Sequence, residues 1–450
     1  MKKYAWFFLA AATFAACKGK DDNPKPGNGG GNSDTIDVRG SISTSTTWSK
    51  DKVYRLRGYV YVDNATLTIE AGTTIISKKD SAGVLIVYKG SKLIANGTAA
   101  APIIFTSGEK TKTPGDLGGL VLVGLATGNG NHGTLEGGVN QTHKLFGGTD
   151  DHDNSGSLKY VRIEYAGKAV ADGDEVNGLS LYAVGDGTTL DHIQVSRGLD
   201  DAFEFFGGTV NAKYLIAYNC ADDDFDMDDG YRGKIQYAIS IKDPKFTDPK
   251  GSSGDVSNNF EVDNTNPSNK PVTTTPITHP LLSNFTAIGP NNVAGTSVDY
   301  GYNMRFRRGS SVELNNSIVL GGQKAGLHLD DEATANFFVA KTAGVTNSLL
   351  QAAANQFQVS SITVITADDL KALVTTDGGS QVFTTAADVK LTDAFNTAAP
   401  NVKPATGSPA LSTTGKFTGS FDNAFFDKTN FVGAMDASND WTAGWTKWGL

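Results

Sequence analysis

The chain has 450 residues, 52 of them glycine, and 39 basic residues against 48 acidic ones give a formal net charge of −9. That balance excludes the basic face on which nucleic-acid binding depends, and it permits cation binding without requiring it. With 19% charged residues and many Asn, Asp, Ser and Thr beside the glycines, the composition suits an all-β protein rich in turns better than a helical one.

Residues 1–16 read as a lipoprotein signal peptide. Lys2 and Lys3 form its charged start, and Tyr4 to Phe14 form an apolar run too short to span a membrane. Phe14-Ala15-Ala16-Cys17 resembles a bacterial lipobox, which implies that Cys17 is lipidated and becomes the new N-terminus. Lys18 to Asp22 resembles the short charged signal that carries Bacteroidetes-type lipoproteins to the cell surface. The resemblance implies an outer-membrane, outward-facing location. Residues 17–37 then form a flexible tether, since Asn23 to Thr35 is rich in Pro, Gly and Asn and has almost nothing apolar to bury. With Cys17 in the signal region, Cys220 stands alone. It reads as a small buried apolar residue at the end of a strand.

Residues 38–335 read as strands. Val60 and Val62, Leu67 and Ile69, Leu85 and Val87, Leu93 and Ala95, and Ile103 and Phe105 are apolar pairs at i, i+2, and Gly-Thr turns follow several of them. Leu67 to Thr73 and Leu93 to Thr98 are two versions of one coil. Later, Asp200-Asp-Ala-Phe-Glu-Phe205 returns as Asp222-Asp-Asp-Phe-Asp-Met227, 22 residues on. Repetition at this period with alternating burial predicts a parallel β-helix, each strand pairing with its copy in the next coil. The pattern lapses in three insertions, residues 126–157, 243–255 and 265–279. Residues 336–450 are Ala-rich, weakly helical at Ala367 to Leu373 and aromatic at the end, and read as a mixed C-terminal capping region.

Gly118 to Gly124, Asn154 to Gly167, Asn177 to Leu181, Phe203 to Val210 and Asp440 to Trp445 resemble a family of exported β-helix lipoproteins of Gram-negative bacteria, among the pectate-lyase-like β-helices. The resemblance implies a right-handed β-helix and an exported location. It carries over no activity, because this scaffold hosts lyases, hydrolases and binding proteins alike.

Aligning the later coils on their inward pairs predicts two outward columns. One runs Ser180, Glu204, Asp226, Glu261, Arg305, His328; the next runs Tyr182, Phe206, Asp228, Asp263, Arg307, Asp330. Carboxylates stacked about 4.8 Å apart repel unless something positive lies between them. Three readings follow. The column is a solvated ion-pair ladder, with the Asp-Asp turns bonding their own backbone. Alternatively, Glu204, Asp226, Asp228, Glu261 and Asp263 hold Ca²⁺, and Tyr182, Phe206, Arg305 and Arg307 hold a glycan. In the third, Glu204, Asp226, Glu261, Arg305 and His328 supply the acids and bases of a polysaccharide lyase or glycosidase.

Asp150-Asp-His-Asp153 with His143 has a metal-friendly composition but reads as a polar turn, and Trp441 and Trp445 read as packing residues. The favoured function is a lipid-anchored binding or scaffolding β-helix, with Ca²⁺ as its possible ion. Its partner would be a surface glycan or an outer-membrane transporter. Polysaccharide cleavage and a purely structural role are the alternatives.

Overall fold

Short strands with an apolar pair at i and i+2 can bury that pair only by stacking on copies of themselves. The computed structural model, which describes residues 34–171, 174–248 and 255–450, does this as a right-handed parallel β-helix with three faces. The first face stacks Val84–Val87, Gly119–Val123, Leu179–Tyr182, Phe203–Phe206, Phe225–Asp228, Phe260–Val262, Tyr302–Phe306, Ala325–Leu329 and Asn355–Val359. The other two faces come largely from longer strands that bend once: Gly156–Glu164, Thr189–Ser196, Asn211–Tyr218, Lys234–Ile241 and Leu281–Ile288.

Each bend is a single left-handed residue. Tyr160, His192, Tyr214, Tyr237 and Asn284 have φ of 49°, 54°, 61°, 64° and 58°. Bulky residues rarely adopt this conformation, and here their rings stack from coil to coil. Centroids lie 4.3 Å apart for Tyr160 and His192, 4.3 Å for His192 and Tyr214, and 5.0 Å for Tyr214 and Tyr237. Inside the solenoid Phe203 stacks on Phe225 at 5.3 Å and Phe225 on Phe260 at 5.7 Å, all fully buried. Burial of each such side chain contributes about 1.5–3 kcal/mol. At the exit of the first face, Gly207 and Gly208 have φ of 70° and 82°, and a Cβ on Gly208 would lie 2.5 Å from the Val184 carbonyl oxygen. Only glycine fits that close approach.

The solenoid does not stop at residue 335. Gly344–Thr346, Leu349–Ala352, Asn355–Val359 and Gln381–Val382 continue the ladders. Gln351, Gln356 and Gln358 dilute the apolar alternation there, which hides these strands in the sequence. The helix Ala367–Ala372 begins where expected, and its Leu370 joins the end of the core with Val374. The last segment is a strap along the flank. Asn347 donates to the Thr414 carbonyl, Gln236 to that of Asp427, Gln194 to that of Lys447 and Arg162 to that of Trp445. Trp441 and Trp445 close against the aromatic bend residues. The expected signal peptide, Cys17 and nearly all of the tether lie outside the described residues; the strand Thr35–Ile42 already includes the tether's last three positions.

The insertion spanning residues 126–157 folds over the outer side of the first face. Its Leu135 and Phe146 pack on Val84, Ile86, Val121, Val123, Tyr182 and Phe206. The early part of this face is therefore buried on both sides.

Candidate functional site

The first face places the column residues in register. Ser180 pairs with Glu204, Glu204 with Asp226, Asp226 with Glu261, Glu261 with Arg305, and Arg305 with His328. In the neighbouring column Tyr182 pairs with Phe206 and Phe206 with Asp228. The side chains nevertheless divide into four groups of different chemistry.

Tyr182 and Phe206 are 2% and 0% exposed and stack face to face, centroids 4.0 Å apart, beneath the insertion. The Tyr182 hydroxyl accepts from the Glu136 amide. The expectation that these rings hold a glycan is therefore corrected, because the insertion already covers them. The sequence carried a signal for this: Val84–Val87 and Leu120 to Val123 are continuous apolar runs, as expected for strands buried on both sides.

Glu261 and Asp263 belong to an arginine network. Arg305 Nη1 lies 3.2 Å from Glu261 and 2.8 Å from Asp255, and its Nη2 lies 3.4 Å from Asp330. Arg307 donates to Glu261 and, through Nε at 2.7 Å, to Asp263, which Arg308 also meets at 2.7 Å. Burial raises the Glu261 carboxyl; Arg307 and Arg305 oppose this and the charge of Asp263 adds to it, leaving it at about 7. Asp263 as a cation ligand is corrected: its oxygens are taken by two guanidinium groups. Arg305 and Arg307, expected to face a ligand, are likewise engaged within the protein. His328 is 3% exposed, stacks on Tyr302 at 4.3 Å and meets the Ser360 hydroxyl at 2.9 Å. Burial lowers it to about 4, so it is a neutral packed ring at pH 7.

Among the described residues, no cationic side chain pairs with Glu204 or Asp226. They converge with Asp201, a residue of the turn that enters the first face. One ligand oxygen from each lies within 4.8 Å of the others. Asp223, Asp226 and Glu261 form an adjoining group, and Asp200, Asp201 and Asp222 a third, so the three share members. Burial, then the neighbouring carboxylates, pushes Asp201, Glu204 and Asp226 well above the ordinary carboxyl range. Asn177 donates to Glu204, whereas Asp226 Oδ1 is enclosed and has no hydrogen-bond partner among the described residues. The second aspartate of each Asp-Asp turn bonds the backbone of the following coil. Asp201 accepts from the Asp223 amide at 2.8 Å, and Asp223 from the Asn258 amide. Asp224, the extra acid of the second copy, turns instead to Lys242 at 3.0 Å, with both side chains buried.

Asp228 belongs to a fourth group, at the exit of the face, with Asp229 and His132. His132 Nδ1 lies 2.9 Å from Asp229 Oδ1 and 3.9 Å from Asp228 Oδ2, and Nε2 lies 3.6 Å from Glu136. Burial pulls the imidazole down, but the bond to Asp229 and the charges of Asp229, Asp228 and Glu136 outweigh it and raise it to about 9. Sequence reasoning missed His132 because the insertion carries no coil pattern with which to align it.

The remaining candidates do not assemble with these groups. His143 stacks on Tyr61 and lies 3.3 Å from Asp63, Asp151 accepts from Thr127 and pairs with Arg232, and His152 pairs with Asp186. Burial raises the Cys220 thiol to about 12, so it stays protonated inside the core.

Comparison with known families matches residues 40–446 to the pectate-lyase-like β-helix domain. The chain belongs to that family. No curated protein and no solved structure matches it. Pectate-lyase-like β-helix membership accounts for the stacked faces and leaves the activity open, because function on this scaffold lies in the site and not in the fold. In this family member the site offers a carboxylate cluster with an enclosed oxygen that has no partner among the described residues. Beside it stands an arginine network paired with the protein's own carboxylates.

Proposed function

We propose that the protein is a lipid-anchored binding or scaffolding β-helix of the outer membrane, and that Asp201, Glu204 and Asp226 hold a hard divalent cation such as Ca²⁺. The observation that carries the reading is the convergence of three carboxylates, one of which, Asp226, has an enclosed oxygen with no partner among the described residues. Oxygen-only donors favour Ca²⁺ over softer metals. A cation there would cancel the repulsion between stacked coils that burial otherwise relieves by protonation. Binding is favoured over polysaccharide cleavage because Arg305 and Arg307 are held by Glu261, Asp263, Asp255 and Asp330. His328 is packed as a neutral ring. A glycan or an outer-membrane transporter, as partner, would meet the solenoid away from Tyr182 and Phe206.

Thermal denaturation with Ca²⁺ and with chelator tests the cation. At a hundred times its dissociation constant a bound ion adds about 2.7 kcal/mol, a rise of several degrees, and equal midpoints would remove this reading. The anchor is tested separately: Cys17→Ala should move the protein from the membrane to the soluble fraction, and continued membrane retention would refute lipidation at Cys17.

A further inference from the structure

The group at the exit of the first face differs in donor chemistry from the carboxylate cluster. His132 comes from the insertion, while Asp228 and Asp229 come from the end of a solenoid strand and the turn after it. Their ligand atoms lie within 4.8 Å of one another. The distances of 2.9 and 3.9 Å from Nδ1 to the two carboxylates bracket the separation of about 3.4 Å between ligands of a tetrahedral ion with bonds near 2.1 Å.

The surroundings orient each donor. Asp229 is fully buried, and its Oδ1 accepts from Asn131 Nδ2 at 2.9 Å while Oδ2 accepts from the His132 amide at 3.2 Å. Asp228 Oδ1 accepts from the Asp229 amide, and its Oδ2 faces the imidazole. Glu136 lies on the Nε2 side, where a carboxylate fixes the tautomer that presents Nδ1 as the donor. Phe206 meets the ring edge-on, centroids 5.2 Å apart, and limits its tilt. The group is also accessible: Asn131, His132 and Glu136 line an open cavity of about 560 Å³ formed by the insertion and completed by Asn269.

We propose that His132, Asp228 and Asp229 form a second metal site, for a divalent ion of the Zn²⁺ class, that fastens the insertion to the β-helix. One imidazole nitrogen with two carboxylate oxygens is a donor set for such an ion, and a different one from the all-oxygen cluster at Asp226. His132 coordinates as neutral imidazole and releases its proton to solvent, and the cavity supplies the route for the ion and a water as fourth ligand. The site is independent of the Ca²⁺ reading.

The test is a Co²⁺ titration of the full-length protein in saturating Ca²⁺, followed by visible d–d absorption and reversed with Zn²⁺. One Co²⁺ per chain is expected, displaced by Zn²⁺. His132→Gln and Asp229→Asn should each weaken binding at least tenfold, and Asp226→Asn should leave it unchanged. Using two variants keeps the test decisive if one fails to fold, as checked by circular dichroism. Absence of the Co²⁺ spectrum, or unchanged affinity in a folded His132 or Asp229 variant, would overturn the proposal. Loss of the Ca²⁺ response with the Co²⁺ site intact would count against the cluster at Asp226 alone.

Discussion

Asp226 pairs directly with Glu204 in the parallel ladder, one coil apart, and its Oδ1 is enclosed without a hydrogen-bond donor among the described residues. Two carboxylates in that relation are held together by the stacking of Phe203 on Phe225 just beside them, against their own repulsion. Replacing one charge should therefore relieve the cation-free protein. Asp226→Asn is expected to raise its stability at pH 7.5 by about 1 kcal/mol and to abolish the gain from Ca²⁺. Urea unfolding with and without Ca²⁺ measures both, and a variant that still gains stability from Ca²⁺ would place the ion elsewhere.

The same cluster sets the pH dependence. Glu261 is raised from 4.5 to about 7, and Asp201, Glu204 and Asp226 are raised as well. A carboxyl raised by folding contributes stability that is present below its unfolded value and is lost as pH rises through the folded one. Without divalent ions the melting temperature should fall between about pH 5 and pH 7.5, and saturating Ca²⁺ should flatten that fall. A cation-free protein that becomes more stable over this range would contradict the account.

Arg307 neutralises Glu261 and Asp263 together. Its removal leaves buried acids short of a counter-charge, and Arg307→Ala should cost about 3 kcal/mol. Adding Asp263→Asn to that variant should recover part of the loss, because one of the stranded charges is then gone. Denaturant midpoints of the single and double variants decide this; equal midpoints would mean that Asp263 was not the stranded charge.

His132 fastens the insertion with the same sign of linkage, over a higher pH window. Its folded value of about 9 exceeds the ordinary 6.5, so its contribution is complete below pH 6.5 and is lost as pH rises through about 9. The groups facing it are Asp229, Asp228 and Glu136, with Phe206 against the ring. Proteolytic nicking within residues 126–157 of metal-free protein should accelerate above pH 9. His132→Gln should be nicked readily already at pH 7, with little further change. An identical pH profile in both proteins would argue against the latch.

The columns were legible in the sequence because a strand's two-residue period, once its inward pairs are aligned, leaves each outward residue one possible neighbour. That is why Glu204, Asp226, Glu261, Arg305 and His328 stand in the expected order. Strand pairing fixes positions along the stack but not the direction in which a side chain leaves it. Asp228 turns to His132, Asp263 to Arg307 and Arg308, and Asp226 to Asp201. Those choices depend on turns and insertions that lack the repeat.

The sequence by itself determined the coil and the acidic column, because burial of an alternating strand is a local constraint repeated many times. Only the tertiary structure decided that the insertion seals Tyr182 and Phe206, that the C-terminal segment runs back along the flank, and that the column divides between arginines, a histidine and an unpartnered carboxylate. These contacts join residues up to 283 positions apart, as between Arg162 and Trp445, and no local period encodes which distant side chain closes over a face.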